Sequence, residues 1–419
     1  MNGQRAYGPP RPLGERRDHA PERKSCMVSE INQTPKAMRL HIGVFGATNA
    51  GKSTLINALS GQEIALTSPV AGTTTDPVFK PMELLPLGPV VLIDTAGLDD
   101  ESELGELRIK KTLDQLESCD AALLVVSSHT TDFSKVENAV SQLRQMKIPM
   151  LIVVNRIGGD SCCFDLNVFR VPVVEVDLSK GAESVKTGIV ELLKDNLEEP
   201  PLTADLVKKG DVVLLIAPQD IQAPKGRLIL PQVQILRDLL DNECLVMTVT
   251  TQNIQKALDS MNVPPALVIT DSQIYREVSE ILPKNVPLTS FSMLMAKNKA
   301  DIRRLVQGAR QIDTLEDGDR VMILESCSHH PLEGDIARIK LPKLLQKYTG
   351  KSLEIVTVSG QTVPDDLSGV KLAIHCGGCM VNRKAMLSKQ NKFEQQGIPM
   401  SNFGVAIAYM NGILDRVCY

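Results

Sequence analysis

Gly46-Ala-Thr-Asn-Ala-Gly-Lys-Ser53 spells GxxxxGKS between an apolar run at 40–45 and the helical pattern Thr54-Leu-Ile-Asn-Ala-Leu59. Glycines let the backbone curl so that successive N–H groups point inward, a lysine reaches the β/γ-phosphates and a hydroxyl ligates Mg²⁺. The stretch therefore predicts a nucleoside triphosphate site made from Gly46, Asn49, Ala50, Gly51, Lys52, Ser53 and Thr54, at the junction of a buried strand and a helix. That junction makes the chain an α/β protein with a P-loop domain at its front.

Two segments downstream extend the site. Val90-Val-Leu-Ile93 is a buried-strand run ending in Asp94-Thr-Ala-Gly97, where Asp94 can hold a Mg²⁺ water and the Gly97 N–H can sense a γ-phosphate. Gly72-Thr-Thr-Thr-Asp76 offers Thr74 as the hydroxyl that closes on Mg²⁺ beside Ser53, with Thr73 and Thr75 as neighbouring loop hydroxyls. Lys52, Thr74, Asp94 and Gly97 form the expected catalytic set. Together these segments resemble a GTPase of the TrmE/Era type.

The base-reading segment departs from that pattern. An NKxD aspartate would accept two hydrogen bonds from guanine, but here the strand at 150–154 leads into Asn155-Arg-Ile-Gly-Gly-Asp160. Asn155 matches, Arg156 replaces the lysine, and Gly158 lacks the carboxylate. Either Asp160 supplies it or guanine selectivity is weakened; Asp177-Leu-Ser-Lys180 stands in the usual SAK-type loop. GTP is expected from the class. Leu98 also occupies the slot of the water-orienting glutamine, and Asp99, Asp100, Glu101 and Glu103 follow it. TrmE-like GTPases use a bound K⁺ instead, and their P-loop asparagine ligand is matched by Asn49, for which a plain turn residue is the lesser alternative.

The other end of the chain carries thiols. Cys327-Ser-His-His330 follows an apolar run at 321–324, and His375-Cys-Gly-Gly-Cys379 follows one at 371–374, so three of nine cysteines and three of six histidines fall in two short loops. Clustered thiolates hold a soft metal or an iron–sulfur cluster. Cys327, Cys376 and Cys379 are the candidate ligands, with His329 and His375 as possible additions. A closed zinc site and a three-cysteine cubane are both compatible with these residue types.

At this point the resemblance narrows. The P-loop with Asn49, Thr74 in GTTTDP, the DTAG of Asp94 to Gly97, and CxHH followed by HCGGC look like the HydF family, GTPases of [FeFe]-hydrogenase maturation. Ala223-Pro-Lys-Gly-Arg-Leu-Ile-Leu-Pro231, Thr289-Ser-Phe-Ser292 and Ser401-Asn-Phe-Gly-Val-Ala-Ile-Ala-Tyr409 agree with it. The resemblance runs from about Arg39 onward. It implies a GTP-hydrolysing scaffold with a GTPase domain (38–199), a dimerisation domain (200–311) and a [4Fe-4S] domain (312–419), working as a homodimer. It further implies a diiron precursor received from two radical-SAM maturases and passed to apo-[FeFe]-hydrogenase. The contrasting expectation is a TrmE/Era-like GTPase of RNA modification or ribosome assembly with a C-terminal structural zinc.

Bulk properties fit a multidomain enzyme. The 419 residues are 43% hydrophobic, enough for several cores. A net charge of −4 gives no broad basic field for nucleic acid. Nine scattered cysteines do not form a secreted disulfide framework, which points to a cytoplasmic setting, and no apolar run approaches a membrane span. Residues 1–37 are rich in proline and arginine and read as a disordered tail, with Met27 as an alternative start. Beyond them, runs near 90–93, 121–126, 150–154 and 171–176 alternate with helical patterns at 104–116 and 136–146. The alternation resumes at 212–216, 232–240, 245–249, 254–261 and 266–270, the pattern of mainly parallel sheets covered by helices.

Overall fold

The computed structural model describes residues 38–61, 78–95, 116–160, 164–194, 200–218, 228–326, 336–360, 362–364, 366–379 and 381–419. Thr74, Gly97, Leu98, the carboxylates at 99–103, Cys327, His329, most of the predicted helix at 104–116 and the predicted tail at 1–37 lie outside the described residues.

The first sheet contains β1 (Leu40–Gly46), β2 (Val78–Leu84), β3 (Gly88–Asp94), β4 (Ala121–Ser127), β5 (Met150–Asn155) and β6 (Val173–Val176), in the order β2-β3-β1-β4-β5-β6. β1, β4 and β5 are buried almost end to end because helices cover both faces, which explains their unbroken apolar runs. On one face α1 (Lys52–Ser60) and α3 (Glu183–Leu193) pack Leu55, Ile56, Val185 and Ile189 against Val44, Leu123 and Leu151. On the other, α2 (Ser134–Gln145) packs Val140 and Leu143 with Phe45, Leu124 and Ile152. β2 pairs antiparallel with β3 and was not anticipated: Lys80, Pro81 and Glu83 interrupt its apolar positions, as an edge strand allows.

Two four-stranded parallel sheets follow. The second has β7 (Val212–Ile216), β8 (Leu245–Val249), β9 (Leu267–Thr270) and β10 (Leu288–Ser290), ordered β8-β7-β9-β10. The third has β11 (Arg320–Glu325), β12 (Glu354–Ser359), β13 (Val370–His375) and β14 (Met400–Asn402), ordered β12-β11-β13-β14. The two share one topology: the first strand lies inside, the second at one edge, the third on its other side and the fourth beyond. α4 (Leu230–Asp241), α5 (Ile254–Ser260), α6 (Tyr275–Ile281), α7 (Phe291–Lys299) and α8 (Ile302–Arg310) accompany the second sheet in sequence; α9 (Leu341–Thr349), α10 (Arg383–Gln395) and α11 (Phe403–Met410) accompany the third.

The likeness extends to local chemistry. Ser290 at the end of β10 caps α7 by accepting from the Met293 N–H at 3.1 Å, and Asn402 at the end of β14 caps α11 by accepting from the Val405 N–H at 2.8 Å. The sheets meet in a shared core in which Leu214, Val268, Leu288 and Leu305 join Met322, Ala373, Phe393 and Val405. Close packing there depends on small residues: a Cβ on Gly308 would lie 2.1 Å from the Met400 carbonyl oxygen, and one on Gly404 would lie 2.2 Å from Ser292 Oγ. All described residues belong to one compact unit.

Candidate functional site

β1 ends at Gly46 and α1 starts at Lys52, so the loop between them sits at the carboxyl edge of the first sheet, where ligands of open α/β sheets bind. Two glycines make it possible. Gly46 has φ +149° and a Cβ there would strike the Val125 carbonyl oxygen at 2.3 Å; Gly51 has φ +105° and its Cβ would lie 2.4 Å from Asn155 Nδ2. Asn49 sits on the exposed turn in the left-handed region, at φ +63°. Lys52 Nζ donates to the carbonyls of Gly46 (3.0 Å) and Ala47 (2.9 Å), which folds its ammonium over the loop. α1 carries no side-chain cap, leaving its first N–H groups directed to the loop.

Ser53 Oγ donates to Asp94 Oδ2 at 3.3 Å, bringing the ends of α1 and β3 together. Burial pushes the Asp94 carboxyl up from its ordinary range, and the Lys52 ammonium opposes that. A hydroxyl and a carboxylate converging beside a lysine are the donor set a hard Mg²⁺ takes. Asn155, at the end of β5, reaches across to donate from Nδ2 to the Ala50 carbonyl at 3.2 Å, so this side chain braces the P-loop. Arg156 follows with its N–H on the Val176 carbonyl. Gly158 has φ +68°, and the exposed Asp160 lies with Oδ2 3.3 Å from His129 Nε2. Asp177 accepts from Ser179 N–H and Oγ and from Lys180, interactions that hold its carboxyl down at about 2.

The cysteine loop lies at the carboxyl edge of the third sheet, between β11 and β13. The Cys376 N–H donates to the Leu324 carbonyl at 2.8 Å, and the Ser326 N–H points at Cys376 Sγ at 3.4 Å. Ser326 directly precedes Cys327 in the sequence, so the adjacency of β11 and β13 joins the two cysteine segments. Cys376 and Cys379 are both partly exposed and neither is in a disulfide. Among the described residues no three metal-binding side chains converge, and two of the expected cysteines are present there. Soft thiol donors and a backbone N–H aimed at sulfur fit an iron–sulfur cluster or a zinc.

His375 is fully buried. Its Nδ1 donates to the Cys376 carbonyl at 2.7 Å, which leaves Nε2 as an acceptor for Ser326 Oγ at 2.9 Å and Lys389 Nζ at 3.2 Å. Both ring nitrogens are thus engaged inside the protein, and in this arrangement the ring supports the loop instead of presenting a ligand. Two lysines that the sequence did not single out complete the support. Lys299, at the end of α7, donates to the carbonyls of Val381 (2.7 Å), Gly378 (2.9 Å) and Cys379 (3.5 Å). Lys389, on α10, donates to Ser326 Oγ at 2.9 Å; burial lowers it to about 8, opposed by the Cys376 charge.

Profiles described as Hydrogen maturase F dimerization domain and Hydrogen maturase F tetramerization domain match residues 202–300 and 303–419. The chain belongs to the hydrogen maturase F family. A third profile, described as 50S ribosome-binding GTPase, matches residues 41–156. Among curated relatives, tRNA modification GTPase MnmE of Paraburkholderia xenovorans (strain LB400) is 32% identical over 179 residues, covering 42% of this chain and 38% of that protein. GTPase Era of Nostoc sp. (strain PCC 7120) is 32% identical over 184 residues, covering 42% and 56%. MnmE of Legionella pneumophila (strain Corby) is 39% identical over 122 residues, covering 28% and 27%. The chain thus spans between 27% and 56% of the length of these relatives. Among the described residues, no helix is long and apolar enough to cross a membrane.

Proposed function

We propose that the chain is a GTP-hydrolysing scaffold that binds a [4Fe-4S] cluster and a diiron precursor, and delivers the precursor to apo-[FeFe]-hydrogenase. The observation that carries this is the conjunction, in one chain, of a braced P-loop with two hydrogen maturase F profiles, the second spanning the Cys376–Cys379 loop. Residues 38–199 are the GTPase domain, 200–311 the dimerisation domain and 312–419 the cluster domain. Two radical-SAM maturases supply the precursor to a homodimer or higher assembly of cytoplasmic chains.

In the GTPase domain the P-loop amides and Lys52 neutralise the triphosphate. Ser53, Thr74 and Asp94 would hold Mg²⁺, which would neutralise phosphate charge, and the Gly97 N–H would read the γ-phosphate. With leucine in place of the water-orienting glutamine, Asn49 supplies a ligand for K⁺. Asn155, Arg156 and Asp160 frame the base. In the cluster domain Cys327, Cys376 and Cys379 would hold the cluster through their thiolates, the soft donors that iron–sulfur chemistry takes.

Anaerobically purified full-length protein tests the reading. Iron and sulfide in near-equal amounts, together with GTP hydrolysis that K⁺ accelerates and Na⁺ does not, are the expected results. Zinc without sulfide would overturn the cluster assignment and favour a TrmE-like GTPase, the class to which the curated relatives belong. Equal hydrolysis in both salts would remove the cation from the mechanism.

A further inference from the structure

Lys299 and Lys389 are each only 4% exposed, and both end at the segment that carries the cysteines. An ammonium removed from water loses several kcal/mol of hydration, so a side chain of this type is retained where its charge or its three donors are used. Lys299 uses its donors: its Nζ draws together the carbonyls of Gly378, Cys379 and Val381, which fixes the backbone on both sides of Cys379. It comes from α7, which follows β10, so a helix of the second sheet holds the third sheet's cysteine loop. Arg383 reinforces this seam by donating to the Asn298 carbonyl.

Lys389 uses its charge. Its partners are the Ser326 hydroxyl and His375 Nε2, and among the described residues no carboxylate lies within ion-pair distance of it. Ser326 connects it to sulfur, since the same residue accepts from Lys389 through Oγ and directs its N–H at Cys376 Sγ. The chain Lys389, Ser326, Cys376 therefore places a positive charge one residue behind the thiolate. Methionine would fill the same space without the desolvation cost, so packing alone does not account for the lysine.

We infer that Lys299 and Lys389 are positioning residues of the cluster site: Lys299 sets the backbone from which Cys379 binds, and Lys389 supplies buried positive charge behind Cys376. The inference rests on the cluster reading proposed above. A reduced cluster carries one more negative charge than an oxidised one, so a buried cation beside it favours the reduced form and raises the reduction potential. Removing the cation lowers it.

The test uses full-length wild-type, Lys389→Met, Lys389→Gln and Lys299→Met proteins reconstituted anaerobically with ferrous iron and sulfide. Lys389→Gln keeps a donor for Ser326 without the charge, and serves if Lys389→Met does not fold. Readouts are the melting temperature of the metal-free protein, iron retained against a chelator, and the midpoint potential from electron paramagnetic resonance. Both Lys389 variants should take up iron and shift the potential to more negative values. Lys299→Met should hold the cluster about 10-fold less tightly, while nucleotide binding is unchanged. A wild-type potential in both Lys389 variants, with full iron retention in Lys299→Met, would overturn this inference and leave the cluster reading standing. A wild-type protein that takes up no cluster would overturn both.

Discussion

Gly51→Ala is the substitution whose cost the structure fixes most closely. Gly51 sits at φ +105° and ψ 20°, at the start of α1, where an L side chain brings Cβ against its own backbone. That conformation costs a non-glycine residue roughly 1–2 kcal/mol. The added Cβ also lies 2.4 Å from Asn155 Nδ2, so the amide must swing away and give up its bond to the Ala50 carbonyl. Losing that bond adds about 1 kcal/mol. The sum, about 2–3 kcal/mol, corresponds to roughly 30- to 150-fold weaker binding if the loop must recover its native shape to hold phosphate. Titration of full-length protein with a fluorescent GDP analogue in Mg²⁺ measures this. Asn155→Ala removes the obstructing amide, so a double-mutant cycle should show a coupling of about 1 kcal/mol, the double variant losing less than the sum of the singles. Wild-type affinity in Gly51→Ala, or strict additivity in the cycle, would refute the reasoning.

Gly308→Ala should lower stability by about 3 kcal/mol in urea, because the new methyl meets the Met400 carbonyl at 2.1 Å and neither backbone can yield without parting α8 from β14. An unchanged midpoint would mean that the two sheets are not packed as described. Asn382→Ala should cost about 2 kcal/mol, one for the α10 cap on Ala385 N–H and one for the donor to the Ser118 carbonyl, with Asn382→Ser recovering the first. Asp160→Ala should reduce preference for GTP over ATP by about 10-fold or more if its carboxylate replaces the one missing at Gly158; equal preference before and after removes it from base reading. Cys376→Ser with Cys379→Ser should abolish iron uptake while leaving GTP hydrolysis intact, and full iron content in that variant would remove these thiols from the site.

The parallel strands were legible in the sequence because burial on both faces writes itself as an unbroken apolar run, as in Val90-Val-Leu-Ile93 and Met150-Leu-Ile-Val-Val154. β10, β12 and β14 were not: β10 and β14 have three residues, too few to show a period, and stood out only within the stretches Thr289–Ser292 and Ser401–Tyr409, while β12 is an edge strand with no fully buried residue. β2 was hidden by Pro81 and by its exposed edge. At the P-loop the motif names its own side chains, yet the brace from Asn155 to Ala50 depends on β5 and β1 flanking β4, a fact of sheet order. The cysteine loop shows the limit more sharply. His375 looked like a ligand because it adjoins Cys376, but as the last residue of β13 its side chain is turned into the core. Lys299 and Lys389 gave no signal because a lysine on a helix reads as a solvated residue; only the packing of α7 and α10 shows that these two are buried, along with Lys297 and Gln390.

α10 also joins the two halves of the proposed chemistry. Its cap, Asn382, stands three positions after Cys379 and donates to the Ser118 carbonyl just before β4. Farther along the helix Ser388 and Lys392 reach Glu117, at 3.2 and 2.7 Å. These contacts meet the first sheet at its amino edge, where Asp120 also accepts from the His41 N–H at the start of β1, whereas the P-loop lies at the opposite, carboxyl edge. Nucleotide and cysteine loop therefore do not touch through α10; the sheet separates them. A phosphate-dependent change at the carboxyl edge can reach Asn382 as a displacement of the first sheet. Strands paired in register on both sides resist sliding past one another, as β1 and β4 do here, so such a change would arrive as a movement of the sheet as a whole. Removing the Asn382 and Ser388 contacts should therefore weaken communication between the sites without altering nucleotide affinity.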